Sequence, residues 1–287
     1  MSESNITIAE LLHSASQRLS QAGVDDSPKL DAELLLCHIL DKPRSFIFTW
    51  PEKLIEADQL KQFEALLQQR MQHQPIAYLL GYKEFWGLPL KVSPSTLIPR
   101  ADTEILVETA LSLLPTPSAE SIKLLDMGTG TGAIALAIKM ERPDIQVSAL
   151  DFQAEAVQLA MTNAKQLDLP IEVLQSDWFS ALRAQRFDMI VSNPPYIEDN
   201  DQHLKQGDVQ FEPLSALTSG QSGLEDIAWI INQSRDYLKS GAWLLLEHGY
   251  NQAESVAQLF SQYGFKNYRL IKDLADNPRI SLAQYGQ

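Results

Sequence analysis

Apolar residues in the opening stretch of the chain recur every three to four positions, whereas beyond Ser121 they gather into short runs separated by amphipathic segments. Ile8, Leu11, Leu12, Ala15 and Leu19 fall on one face of a predicted helix. A second helix is predicted from about Lys29 to Leu40, bounded by Pro28 and by Lys42-Pro43. A third, from about Glu56 to Gln72, aligns Leu60, Phe63, Leu66, Leu67 and Met71. Residues 1–75 hold no catalytic constellation, so the pattern predicts a small helical bundle on its own core, suited to gripping a macromolecular substrate.

Residues 76–99 change texture. Tyr78, Leu79, Leu80, Tyr82, Phe85 and Trp86 mix with Gly81, Gly87, Pro89, Pro94 and Pro99, which predicts short strands and turns forming a hairpin linker. Residues 100–287 make a third segment. Helical periodicity runs from Thr103 to Leu114 and stops at Pro115 and Pro117. Strands are then predicted at Ile122–Met127, Ile145–Leu150, Ile171–Leu174, Phe187–Ser192 and Ala242–Leu246, with two more after Lys266. Helices fall between them at about 133–140, 154–167, 224–238 and 252–263. Such alternation predicts an α/β fold with a mainly parallel, doubly wound sheet of seven strands.

Composition narrows the setting. The 287 residues are 45% hydrophobic and 21% charged, as expected of a globular protein with a substantial core. The start, MSESNITIAE, lacks the basic-then-apolar layout of a signal peptide, and no apolar run approaches the ~18 residues that span a bilayer. The expectation is a soluble, cytoplasmic monomer without membrane association. Cys37, the single cysteine, lies in a leucine-rich run and reads as a small core residue. None of the five histidines has metal-ligand company, so no metal is expected. Net charge is −14, and residues 100–287 carry 14 Lys/Arg against 25 Asp/Glu. Nucleic-acid binders draw much of their affinity from neutralising phosphates. A protein partner is therefore expected, and no stable nucleic acid.

Chemistry enters at residues 126–132, Asp-Met-Gly-Thr-Gly-Thr-Gly, between a predicted strand and a predicted helix. Gly128, Gly130 and Gly132 let the backbone turn sharply and a nucleoside approach closely, with Thr129 and Thr131 between them. Asp126 stands where a pyrophosphate would be repelled and a cation, such as the methionine part of S-adenosyl-L-methionine, would be favoured. Asp151 ends the next strand, where a carboxylate accepts from both ribose hydroxyls. A nicotinamide dinucleotide remains the alternative on these two features. Asp177 and Trp178 follow one strand later, suited to the adenine amino group and ring, or else to an acidic loop beside a buried Trp.

The fourth strand ends in Asn193-Pro194-Pro195-Tyr196. Ligands of open α/β sheets bind beyond the carboxyl ends of the strands, so this element is expected beside the reactive group. The Asn193 side-chain oxygen and the Pro194 carbonyl can each accept one hydrogen of an –NH₂ group, aiming its lone pair at a methyl donor. The prolines stiffen the backbone, and Tyr196 can stack on a flat amide or base. Positioning for in-line transfer is then the main catalytic device.

Asp126-Met-Gly-Thr-Gly-Thr-Gly, Asp151, Ser176-Asp-Trp-Phe and Asn193-Pro-Pro-Tyr together resemble the peptide chain release factor glutamine methyltransferases of the PrmC (HemK) type. The resemblance runs on through Gln210-Phe-Glu-Pro, Ser222-Gly-Leu and Leu246-Glu-His-Gly, and back through Phe85-Trp-Gly, Ile98-Pro-Arg and the helical N-terminus. It implies a Rossmann-like methyltransferase sheet and S-adenosyl-L-methionine as cofactor, with S-adenosyl-L-homocysteine as product. It also implies class-I release factors as protein substrate, methylated on the glutamine of their Gly-Gly-Gln motif. Carried over, Gly128–Gly132, Asp151, Trp178 and Asn193 would bind cofactor and Asn193–Tyr196 would hold the glutamine.

Two other functions compete: a nucleic-acid adenine amino-group methyltransferase, which shares Asn-Pro-Pro-Tyr, and a nucleoside-binding scaffold without activity. Residues 197–223 form a long connection expected to act as a substrate-gripping flap, with Gln210–Pro213 as its anchor. Arg100 and Glu247 are candidates either for the cleft or for structural ion pairs, and His248 reads as a satisfied strand-end histidine.

Overall fold

The computed structural model describes residues 6–24, 27–116, 121–183 and 185–286. The chain divides into two compact units, the region up to Tyr82 joined by His203–Phe211, and Lys83–Gln202 joined by the chain from Glu212 on.

The first unit holds α1 (Ile8–Gln21), α2 (Pro28–Leu40), α3 (Arg44–Thr49), α4 (Ala57–Met71) and α5 (Ile76–Leu80). The first helix starts in a capping box: the Glu10 N–H donates to Thr7 Oγ1 at 3.3 Å and the Thr7 N–H to Glu10 Oε2 at 2.9 Å. Leu11, Leu19, Leu35, Leu36, Phe63 and Leu67 form its core, with Cys37 half-buried against it. The apolar stripes of α1 and α4 are the ones read from the sequence. Helices α3 and α5 are not, because six and five residues are too short to display a helical period. Thus the expected hairpin linker over residues 76–99 begins as a helix, and its hairpin is confined to β1 (Tyr82–Phe85) and β2 (Leu88–Lys91). A buried ion cluster ties in the distant segment: the Arg70 guanidinium donates to Asp31 at 2.7 Å and to Asp208 at 2.8 Å.

The second unit continues with α6 (Thr103–Leu113), β3 (Lys123–Met127), α7 (Ala133–Glu141), β4 (Gln146–Asp151), α8 (Ala154–Gln166), β5 (Glu172–Gln175) and β6 (Phe187–Ser192). After the long connection come α9 (Glu225–Ser234), β7 (Leu238–Glu247), α10 (Ala253–Gln262), β8 (Lys266–Lys272) and β9 (Pro278–Gln284). Seven strands form one sheet in the order β5-β4-β3-β6-β7-β9-β8, parallel except where β9 runs against both neighbours. Successive residues feed opposite faces. Leu124, Val191 and Leu245 pack under α6 and α7, while Leu125, Ile190, Leu244 and Leu246 pack under α9 and α10. Burial on both faces is why these strands read as continuous apolar runs.

One boundary differs from expectation. The helix expected to reach Leu238 stops at Ser234, and β7 begins at Leu238, not Ala242. Gly241 reads as a break in sequence, but the strand passes through it with φ +78° and a register shift opposite Phe187 and Met189. The expected flap contains short 3₁₀ turns at Gln202–Lys205, Gly207–Phe211 and Leu214–Ala216.

Asp31 is 2% exposed and Arg70 6%. Arg70→Met, by leaving Asp31 buried without its cation, is expected to lower unfolding free energy by about 3–5 kcal/mol. Asp208→Asn, at the half-exposed end of the cluster, is expected to cost about 1 kcal/mol or less. Chemical denaturation followed by circular dichroism checks the pair, and equal small losses would deny the cluster its structural role.

Candidate active site

Register assembles the site. Met127 of β3 lies beside Leu150 of β4 on one side and Ser192 of β6 on the other. The next residues, Gly128, Asp151 and Asn193, therefore leave the sheet from one edge, where the strand order switches direction about β3. Ser192 Oγ donates to the Met127 carbonyl at 2.7 Å, fastening two of the strand ends.

Asp151 organises the turn. Its Oδ2 accepts from the Gly130 N–H at 2.8 Å and its Oδ1 from the Gln153 N–H at 2.9 Å. Each oxygen retains acceptor capacity for a further hydroxyl. Burial pushes this carboxyl up, against the backbone N–H groups that lower it. Gly132 has φ +85°, and a Cβ there would sit 3.1 Å from Leu136 Cδ1 and 3.4 Å from Ala160 Cβ, so α7 and α8 close on the turn only over a glycine.

A cavity of about 360 Å³ opens above this edge. It brings together Gly128, Thr129, Gly130, Thr131, Asp151, Asp177, Trp178, Asn193 and Pro195 from the residues singled out in the sequence. Its charged lining residues are Asp151, Asp177 and Asp226 against Arg100 alone. Arg100 is itself engaged by Glu212, which is buried and also accepts from the Ile98 N–H at 2.9 Å. So acidic a lining suits a cationic nucleoside better than a pyrophosphate.

Trp178 takes φ +47°, an uncommon conformation held by Ser176 Oγ donating to the Trp178 carbonyl at 2.6 Å. Its side chain hydrogen-bonds with Asp226, a cavity residue that sequence reasoning missed. Phe152, 62% exposed and also lining the cavity, was missed too, although a large aromatic directly after Asp151 was an available signal. Ser215 and Ala216 reach the cavity from the long connection, and Thr103 from the start of α6.

At the acceptor end, Asn193 Nδ2 donates to Thr103 Oγ1 at 3.1 Å, and Thr103 Oγ1 donates to Glu247 Oε2 at 2.7 Å. The backbone beyond it is clamped. Tyr196 and Ile197 donate their N–H groups to the Leu217 carbonyl at 3.2 and 2.9 Å, and Gln252 Nε2 donates to the Tyr196 carbonyl at 2.9 Å. Gly223 completes the clamp, since a Cβ there would lie 2.4 Å from the Tyr196 oxygen.

Five singled-out residues do not line the cavity: Asp126, Gly132, Pro194, Tyr196 and the cleft candidate Glu247. Pro194 is buried. Tyr196 is partly buried, packed on the α9–α10 side of the core with its hydroxyl 3.4 Å from Glu247 Oε1. Asp126 is wholly buried; its Oδ2 accepts from Thr129 Oγ1 at 2.6 Å and from the Ala135 N–H at 3.3 Å. It shapes the turn through these two bonds. His248 is satisfied, with Nδ1 2.9 Å from the Gly249 carbonyl and Nε2 2.8 Å from Ser281 Oγ.

Burial pushes the Asp126 carboxyl to about 7, with the Thr129 and Ala135 bonds opposing and Asp151 assisting. The folded chain thus keeps a proton here that the unfolded chain releases near the ordinary aspartate value. Stability from this group is present at low pH and lost as pH rises from about 4 to about 7. Asp126→Asn is expected to flatten that decline, by at most about 1.4 kcal/mol per pH unit, the value of one proton. Urea midpoints at several pH values compare the two chains, and parallel profiles would contradict the assignment.

Known proteins match both parts of the chain. The family model described as PrmC N-terminal domain covers residues 10–81, and that described as Methyltransferase small domain covers residues 102–211. The release factor glutamine methyltransferase of Aliivibrio fischeri is 50% identical over 283 residues, 98% of each chain. That of Escherichia coli (strain K12) is 50% identical over 279 residues, 97% of this chain and 100% of its own. Among solved structures, a methyltransferase from Pyrococcus furiosus aligns with a TM-score of 0.52 at 17% identity, over 70% of this chain and 90% of that one, a likeness of fold. Half-identity along nearly the whole of both sequences establishes the kinship: the chain belongs to the release factor glutamine methyltransferase family.

Proposed function

We propose that this chain transfers a methyl group from S-adenosyl-L-methionine to the side-chain amide nitrogen (N5) of the glutamine in the Gly-Gly-Gln motif of class-I peptide chain release factors, modulating translation termination. The observation that carries this reading is Asn193 at the carboxyl end of β6, in the same acidic cavity as the glycine turn and Asp151. Family membership supplies the class of protein acceptor.

When bound, the cofactor supplies an electrophilic methyl on a sulfonium and leaves as S-adenosyl-L-homocysteine. The acidic lining fits its positive charge. Gly128–Gly132 give it close backbone approach, Asp151 accepts the ribose hydroxyls, and Asp177 or Asp226 takes the adenine amino group between Trp178 and Phe152. Asp126 supports this site through the turn. At the acceptor, the Asn193 side-chain oxygen and the Pro194 carbonyl each take one amide hydrogen, fixing the nitrogen for in-line attack. Pro195 lines the acceptor end, and Tyr196 contributes by keeping the backbone clamped. As the N–CH₃ bond forms and the S–CH₃ bond breaks, the N–H becomes more acidic and its proton is released to solvent, so no strong base is required before transfer.

In this reading residues 1–75 grip the release factor, residues 76–99 link, and residues 100–287 carry the chemistry, in a cytoplasmic monomer. Among the described residues no helix is long and apolar enough to cross a membrane.

Incubation with methyl-labelled cofactor and a release factor, its Gln→Ala variant, or unmethylated DNA is expected to label only the unaltered release factor. Label on DNA would favour adenine, and equal label on the Gln→Ala variant would sink the glutamine assignment. Asn193→Ala is expected to lower kcat by about 10²–10³-fold while cofactor affinity changes far less. An active Asn193→Ala enzyme would refute the role given to that side chain.

A further inference from the structure

The Asn193 side-chain amide has a donating end and an accepting end, and an –NH₂ acceptor is held only if the accepting end faces it. We infer that Thr103 and Glu247 fix this choice, acting as positioning residues behind Asn193. The inference rests on the amide-methylating role proposed above and adds the device that makes it directional.

A threonine hydroxyl has one hydrogen, and a carboxylate accepts only. With Thr103 Oγ1 2.7 Å from Glu247 Oε2, that hydrogen belongs to Glu247. What Thr103 then offers Asn193, 3.1 Å away, is a lone pair. Only the –NH₂ end of Asn193 can satisfy a lone pair, so Nδ2 turns to Thr103 and Oδ1 is left for the acceptor. Thr103 is 4% exposed and Glu247 1%, which leaves the hydroxyl little alternative in solvent. The Tyr196 hydroxyl, 3.4 Å from Glu247 Oε1, donates in the same sense.

The fold brings the three together from different elements. Glu247 ends β7 and follows Leu246, the register partner of Ser192, so it stands abreast of Asn193 across one pair of strands. Thr103 is the first residue of α6. Burial pushes the Glu247 carboxyl up to about 7, and Asp102, the residue capping α6, adds to this, while the Thr103 hydroxyl and Arg279 from β9 favour the carboxylate form on which the relay depends. Arg279 is in turn paired with Asp102 at 3.3 Å and Asp273 at 3.1 Å.

The test uses the full chain with a release factor as acceptor, measuring kcat, KM for the release factor, cofactor affinity and melting temperature. Thr103→Val keeps the shape and removes the hydroxyl; it is expected to lower kcat by up to about 100-fold with cofactor affinity and melting temperature nearly unchanged. Thr103→Ser, which keeps the hydroxyl, is expected to recover most of the rate. Thr103→Ala carries the same expectation as the valine variant if that one folds poorly. Glu247→Gln replaces an obligate acceptor with a group that also donates; it should lower kcat alone and add little in the Thr103→Val background. Wild-type kcat in Thr103→Val, a serine variant as impaired as the valine, or full additivity of the two changes would overturn the inference. An active wild type with an unaffected Thr103→Val sinks the relay alone, whereas a wild type that labels no glutamine sinks the acceptor reading and the relay with it.

Discussion

Parallel strands paired in register end together, and the chemistry of this protein depends on that alignment. Met127, Leu150 and Ser192 are neighbours across β4, β3 and β6, so the chain leaves the sheet three times at one level. A slip of one residue in any of these pairings would turn its side chains to the other face and withdraw one of Gly128, Asp151 or Asn193 from the cavity. The two apolar faces prevent such a slip. Leu124 and Leu125 feed opposite cores, as do Ile190 and Val191, and an exchange would expose neither to solvent but would misfit both.

Once the edge is fixed, its backbone groups and carboxylates have to be satisfied with little water. Asp126 holds Thr129 and the start of α7, Asp151 holds Gly130 and its own turn, and Glu247 holds Thr103 and faces Tyr196. Each carboxyl is pushed up by burial. Of the three, only Asp151 lines the cavity, beside Asp177 and Asp226. One carboxyl thus both orders the turn and contributes to the acidic lining.

The parts of this site legible in sequence are those made by chain neighbours. Gly128 to Gly132 must turn between a strand and a helix, Asp151 must cap the next strand, and Asn193-Pro-Pro-Tyr must follow another, so spacing alone placed them. The parts that stayed hidden are made by distant segments. Thr103 looks like an ordinary first residue of a helix and Asp226 like an acidic first turn; even for Glu247, already a cleft candidate, nothing local says that these residues meet Asn193 or Trp178. The Tyr196 hydroxyl likewise meets a distant residue, Glu247, that its neighbours in sequence do not announce. In the fold, the runs of β3, β4 and β6 were plain because burial on both faces removes polar residues from them. Helices α3 and α5 were too short to show a period, and the strand expected from Ala242 begins earlier because tertiary pairing carries it through Gly241.

The role proposed for Asn193 and Pro194 requires a planar –NH₂, which a glutamine side chain and an adenine meet equally. An Asn193 that presents its accepting end would discriminate against a bare carbonyl without choosing between amide and base. The choice rests on what must accompany the acceptor. Adenine arrives on a polyanion and has to be turned out of its stack, at a cost that basic contacts normally offset. Residues 100–287 carry 25 acidic side chains against 14 basic ones, and the cavity's single lining cation, Arg100, is held by Glu212. A glutamine on a protein loop brings no phosphates with it. The acidity that welcomes a sulfonium thus also disfavours the competing acceptor, so one electrostatic property bears on both ends of the methyl transfer.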